Sequence, residues 1–171
     1  GHFITQILKR IMNTSEFKFL LARSEFIPKE ILELLAKDKN FWVRASVAEN
    51  PITSKEILEI LAKDEDSYVR VSVAGNPKTP KNILDILSKD KKWTIRESVA
   101  QNPSVPKEIL ELLAKDKNYC VHISVARNQK TPKEILELLA KNKDWEVREA
   151  VARNLKSPKK VLEILTNDKE Y

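Results

Sequence analysis

The chain has 171 residues, room for one ordinary domain, and only 2 are glycine where average usage of about 7% would give roughly 12. Dinucleotide fingerprints, phosphate-cradling loops and nucleophile elbows need glycines at fixed offsets and are excluded, and tight Asn-Gly or Asp-Gly hairpins have no support. Lys+Arg 31 against Asp+Glu 25 leaves a net charge of +6 on a densely charged sequence, a surplus too modest to name nucleic acid as a partner.

Gly1 and His2, ahead of Phe3, read as a cloning scar. Residues 3–27 read as a degenerate N-terminal capping repeat. Ile4, Ile7, Leu8 and Ile11 make its first helix, and Phe17, Leu21 and Ala22 stand where Val43, Val47 and Ala48 stand in the next copy. From Pro28 a unit of 26 residues recurs: Val43, Val69, Ile95, Val121 and Val147 share one phase, and Asn50, Asn76, Asn102, Asn128 and Asn154 another. Residues 28–157 hold five full repeats, and residues 158–171 a final half-repeat that is either a C-terminal cap or a truncation point.

Each unit opens with an amphipathic helix. Thr131-Pro132-Lys133-Glu134 places a hydroxyl at the N-cap, proline at the first helical position and glutamate at the third, a capping box that Thr53-Ser54-Lys55-Glu56 repeats without the proline. At ~100° per residue, Ile31, Leu34 and Leu35 share a face with Leu32 beside them, opposite Lys29, Glu30, Glu33 and Lys37. The charges, with Glu33 and Lys37 an i,i+4 pair, read as a solvated face.

A shorter second helix follows, Phe41 to Glu49 in the first full unit, capped by Asn40 and in other copies by Asp66 or Asp144. Asn50-Pro51, Asn76-Pro77 and Asn102-Pro103 end it, because a residue before proline avoids the α region. Val43, Ser46 and Val47 face inward, whereas the positions of residues 42, 45 and 49 point outward and vary most from copy to copy. One unit buries too little to order its own residues, so neighbours must stack on it.

The string from Asn76 to Asn102, NPKTPKNILDILSKDKKWTIRESVAQN, returns with small departures from Asn128 to Asn154. It resembles the leucine-rich repeat variant family, related in style to HEAT-like repeats, over nearly the whole chain from Phe17 to Asp168. The resemblance implies an all-α, right-handed α-solenoid, a superhelix of about six two-helix repeats, and leaves open whether the second helices are α-helical or partly 3₁₀. It implies binding or scaffolding rather than catalysis. The iron–sulfur module that some relatives append needs a cysteine cluster, and this chain has Cys120 alone.

Arg44, Arg70, Arg96 and Arg148, with Asp38, Asp64, Asp90 and Asp116, read as a ladder of ion pairs between repeats, and the asparagine row as a hydrogen-bonded ladder. His122 breaks the arginine row two residues after Cys120. On a helix that spacing points the two side chains ~200° apart, so they form neither a metal site nor a nucleophile–base pair, and His122 reads as a substituted position of the ladder. No catalytic, metal or cofactor residue is assigned, and the chain is expected not to be an enzyme.

Phe41, Trp93, Tyr119 and Trp145 hold a flank position and are expected to lie between units. The outward row runs Glu16, Phe19, Arg23, then Trp42, Ala45, Tyr68 and Val71, then Thr94, Glu97, Cys120, Ile123 and Arg127, and last Glu146, Glu149 and Arg153. An apolar stretch followed by a charged continuation suits a protein or peptide partner, because aromatic anchors carry interface energy and rim charges set register. Phe19, Trp42, Tyr68, Val71, Glu97, Ile123, Arg127 and Arg153 are the expected partner-binding residues. Gly75 lies on the same outward side and leaves space there.

Two alternatives stand beside a protein- or peptide-binding scaffold: a nucleic-acid-binding HEAT-like solenoid, and a structural or regulatory segment of a larger protein. Five carboxylates against three guanidiniums on the outward row weigh against a phosphate track, and Lys78, Lys130 and Lys156 bring that groove only to +1. No stretch approaches the roughly 18 apolar residues of a membrane span, so no membrane partner is expected. A single cysteine suits a reducing, cytoplasmic setting.

Overall fold

Side-chain hydrogen bonds to backbone carbonyls, recurring every 26 residues, tie the helices of this chain together. A computed structural model of the protein describes residues 14–166. The helix expected around Ile4, Ile7, Leu8 and Ile11, and the end expected at Asp168, lie outside the described residues. The chain divides into two compact units, Gly1–Pro80 and Lys81–Tyr171.

In Gly1–Pro80 the helices are α1 (Ser15–Ala22), α2 (Lys29–Leu35), α3 (Phe41–Glu49), α4 (Lys55–Leu61) and α5 (Ser67–Gly75). In Lys81–Tyr171 they are α6 (Lys81–Leu87), α7 (Trp93–Gln101), α8 (Lys107–Leu113), α9 (Tyr119–Arg127), α10 (Lys133–Leu139), α11 (Trp145–Arg153) and α12 (Lys159–Thr166). The described residues contain no strand. The chain is an all-helical repeat solenoid in which second helices stack on second helices, α1 on α3 on α5 in one unit and α7 on α9 on α11 in the other. Each first helix leans on a second helix beside it.

The second helices are the longer ones, eight residues in α1 and nine in α3, α5, α7, α9 and α11 against seven for α2, α4, α6, α8 and α10, and they are α-helical throughout. The expectation that they are shorter than the first helices is corrected. Their inward residues form the core: Val43, Val47, Ala48, Val69, Val73, Ala74, Ile95, Val99, Ala100, Val121, Val125 and Ala126 are fully buried. On the first helices Leu32, Leu58, Leu84, Leu110 and Leu136 join them.

Leu34 does not belong to that core. Leu34, Ile60, Ile86, Leu112, Leu138 and Ile164 are between 43% and 61% exposed. Residues 31, 32, 35 and 36 span the arc that leans on the second helix, and residue 34 lies roughly 130° from its middle at ~100° per residue. A seven-residue helix held from one side leaves that position in solvent.

The asparagine row is a ladder. In Gly1–Pro80, Asn50 Nδ2 donates to the carbonyls of Ala22 (2.7 Å) and Ser24 (2.9 Å), and Asn76 Nδ2 to those of Ala48 (2.7 Å) and Asn50 (3.2 Å). In Lys81–Tyr171, Asn128 Nδ2 reaches Ala100 and Asn102, and Asn154 Nδ2 reaches Ala126 and Asn128. Each Oδ1 accepts the N–H two residues on, as Asn76 does from Lys78 at 2.9 Å. One side chain thus closes the end of its own helix and that of the preceding second helix.

A second row was misread from the sequence. Thr131 does not cap α10: its hydroxyl donates to the Val125 carbonyl, as Thr53 does to Val47, Thr79 to Val73 and Ser157 to Val151. Pro132 itself takes the cap position, with φ −59 and ψ 149 and no side-chain bond. Ser54 does accept from Ile57 N, at 3.5 Å, so only the unit without proline keeps a side-chain cap. Asp144 stands at the N-cap of α11 and makes no capping bond there, whereas Asn40 and Asp66 cap α3 and α5.

At the position of Thr53 and Thr131 one copy carries Val105, fully buried. Val105→Thr is expected to gain a hydroxyl donor to the Val99 carbonyl and to leave stability unchanged or raised by about 1 kcal/mol, read as a shift in urea midpoint. A loss above that range would contradict the ladder. Among the described residues none has positive φ, so the turns are built without the conformational freedom of glycine.

Candidate functional site

The charged ladder and the outward row lie on the same second helices and divide the chemistry between them. Arg44 grips Asp64 bidentately, Nε to Oδ2 at 2.7 Å and Nη2 to Oδ1 at 2.9 Å, while its Nη1 donates to the Asp38 and Lys39 carbonyls. Arg96 repeats this with Asp116 and with the Asp90 and Lys91 carbonyls. Burial raises the Asp64 and Asp116 carboxyls, and the paired arginine together with the backbone N–H of Asp66 or Asn118 more than reverses it, leaving both below their ordinary value. The paired guanidiniums of Arg44 and Arg96 rise in turn. These groups are spent on holding helices together.

One rung was not foreseen, and another is the substituted ladder position expected at His122. Lys18, which stands 26 residues before Arg44, binds Asp38 Oδ2 at 2.7 Å. His122 meets Asn142 instead of a carboxylate, ring Nδ1 to amide Nδ2 at 3.1 Å. Both partners of that rung have changed together, and the imidazole faces the ladder, away from any reactive neighbour. Among the described residues no three His, Cys, Asp or Glu side chains gather as a metal site.

The outward row in Gly1–Pro80 is the distinctive surface. A cleft of about 430 Å³ opens between α1 and α3, lined by Glu16, Phe19, Arg23, Trp42, Ala45 and Glu49 among others. Its depth comes from Ala45, the smallest side chain at a position that is Phe19, Val71, Glu97, Ile123 or Glu149 in other copies. Phe19 and Trp42 are the walls, and the Arg23 guanidinium sits 5.3 Å over the Phe19 ring. Glu49 at the rim accepts from Ser72 Oγ at 3.0 Å.

Beside the cleft, Phe41, Trp42 and Tyr68 form one aromatic cluster, with ring centroids 4.8, 5.5 and 6.0 Å apart. Trp42 is 51% exposed and Tyr68 59%. Sequence reasoning had placed Phe41 with the flank aromatics and missed that it backs the other two. Trp93, Tyr119 and Trp145, expected between units, are likewise 40–51% exposed. Val71 is half-buried on α5, and Gly75 is the exposed last residue of that helix.

In Lys81–Tyr171 the row is polar. Glu97 and Ile123 are half-buried on α7 and α9, and Arg127 lines a cleft of about 380 Å³ with Gln101, Ser124 and Lys130. Burial pushes the Glu97 carboxyl up, only partly opposed by Ser124 and Arg127. Arg153 is held by Glu149 one turn earlier, at 2.7 Å. Phe19, Trp42 and Tyr68 therefore come together, as do Glu97 and Arg127, while Arg153 is engaged on its own helix.

A solved structure described as a leucine-rich repeat variant with a novel repetitive protein structural motif is similar to this chain at 26% identity and a TM-score of 0.67, covering 95% of this chain and 70% of that one. The fold is that of a leucine-rich repeat variant. No protein-family model and no curated protein matches the sequence. In this leucine-rich repeat variant fold the asparagine, threonine and arginine ladders take up three positions of most second-helix regions, and the outward row differs more freely between copies. Among the described residues no helix is long and apolar enough to cross a membrane.

Proposed function

We propose that this chain is a non-enzymatic helical-repeat scaffold that binds a protein or peptide through the outward face of its second helices, anchored at the cleft between α1 and α3. The observation that carries this reading is the cleft itself: two aromatic walls over an alanine floor, with Trp42 and Tyr68 half in solvent beside it. Exposed aromatics cost solubility, and clustered around a concave floor they supply the anchors that dominate interface energy. Glu97, Arg127 and Arg153 continue the row as polar contacts that choose among partners, with Ile123 an apolar contact between them.

Peptides selected on the wild-type chain from a displayed random library provide the test. Phe19→Ala/Trp42→Ala is expected to weaken their binding roughly 30-fold, the equivalent of about 2 kcal/mol. Ala45→Val, which carries the residue of the next copy into the floor, should do the same by filling the cleft while thermal unfolding stays near the wild-type midpoint. Undiminished affinity in both variants would remove the cleft as the anchor.

A further inference from the structure

The aliphatic row on the first helices has no part in the cleft or the ladders. Ile86, Leu112, Leu138 and Ile164 stand on α6, α8, α10 and α12, each 43–55% exposed. Helix formation does not ask for them, since Lys, Gln or Arg would serve an exposed helical position as well. Yet the position is Leu or Ile in each of these helices, and in α2 and α4 too.

The charges around the row are ordered. Residues four before and three after an aliphatic share its face. Before it come Asn82, Glu108, Glu134 and Lys160; after it come Lys89, Lys115 and Lys141. Over α8 and α10 the apolar stripe is thus flanked by carboxylates along one side and ammonium groups along the other. The intrachain ion pairs nearby, Lys81–Glu108 at 3.4 Å and Lys89–Asp85 at 2.8 Å, are solvent-exposed and cheap to give up. A groove of about 550 Å³ between α6 and α8, lined by Lys81, Asp85, Glu108 and Leu112, gives the surface relief.

We propose that this stripe binds a second copy of the same chain. A two-fold axis along the stripe sets each helix antiparallel on its own counterpart, so that aliphatic meets aliphatic, Glu108 faces Lys115 of the second copy and Glu134 faces Lys141 of the second copy. The surface is self-complementary in charge as well as in hydrophobicity, as a two-fold interface requires. Four helices about 11 Å long at 8–10 Å spacing offer roughly 400 Å² per copy, about half of a standard interface, so the dimer is weak and concentration-dependent.

Sedimentation equilibrium tests it with four chains. The wild type is expected to move reversibly from 19.7 kDa towards twice that mass as concentration rises from about 1 μM to about 1 mM. Leu112→Gln/Leu138→Gln should stay monomeric with an unchanged helical circular dichroism signal. Glu108→Lys/Glu134→Lys and Lys115→Glu/Lys141→Glu should each weaken association tenfold or more, and an equimolar mixture of the two should restore it. A wild type that is monomeric throughout, charge variants that associate like the wild type, or a mixture that fails to recover would each overturn the proposal. Peptide binding at the α1–α3 cleft is unaffected by any of these changes, so the two surfaces are judged separately.

Discussion

Asn76→Ala is expected to lower stability by about 3 kcal/mol, seen as a fall in the urea midpoint followed by far-ultraviolet circular dichroism. Its amide nitrogen donates to the carbonyls of Ala48 and Asn50, and its oxygen accepts from Lys78 N, so three backbone groups lose their partner at once. The site is 2% exposed, and Ala48 and Asn50, whose carbonyls it serves, are buried with it. An orphaned buried polar group costs ~1–3 kcal/mol, which makes the net loss several times that of an average surface change. Asn76→Asp separates donor from acceptor: the carboxylate keeps the bond from Lys78 N but turns an anion on two carbonyl oxygens, so at pH 7 it should cost at least as much as alanine. An alanine variant that unfolds at the wild-type urea concentration would show that the ladder holds nothing.

That ladder was legible in the sequence because it rests on spacing. A residue that recurs every 26 positions before Asn-Pro or its substitute both stops a helix and needs a fixed partner one repeat back, and the side chain of asparagine has a donor and an acceptor to serve both ends. Phe41–Glu49 came out with its bounds unchanged for the same reason, with Asn40 capping one end and Asn50 turning the other. The first helix was harder. Proline at residue 132 has no side chain to cap with, and Thr131 is free to turn inward to Val125, an outcome set by the neighbouring helix end and invisible to a local capping rule. Leu34 failed for a geometric reason: a helical wheel shows which residues share a face and not how wide a face the neighbour covers.

The surface read from the outward row was half legible. Variation between copies marks positions free of the ladders, and Phe19, Trp42 and Ala45 followed from it. That they enclose a cleft depends on Ala45 being small while its neighbours on both sides are large, a comparison the sequence contains and the periodicity alone does not emphasise. Phe41 escaped because its register assigns it to the flank, whereas its ring lies 6.0 Å from that of Tyr68 on the neighbouring α5. The exposed stripe on the first helices had the opposite problem, since regular aliphatics look like core until their exposure is measured.

The rung formed by Arg96 and Asp116 supplies the second large effect, and the chain contains its own control. Asp116→Asn or Arg96→His alone should cost about 2–3 kcal/mol, because each leaves one buried charge without its bidentate partner at a site where both side chains are at most 9% exposed. The double variant Arg96→His/Asp116→Asn rebuilds the arrangement that His122 and Asn142 already adopt one repeat later. Its loss is therefore expected to fall short of the sum of the singles by at least about 1 kcal/mol. It should not return to wild type, since His122 Nε2 is buried without a hydrogen-bond partner and an imidazole at residue 96 would give up the contacts to the Asp90 and Lys91 carbonyls. Acid separates charge from shape. The Asp116 carboxyl is held below its unfolded value near 3.9, so its contribution is complete above that pH and drains away as the pH falls through the folded value, where wild type takes up the proton and Asp116→Asn does not. The gap in urea midpoint between those two chains should thus be constant from pH 7 down to about pH 5 and close progressively below it. A gap that persists in strong acid would mean that packing of the side chains, rather than their charge, joins the repeats at this rung.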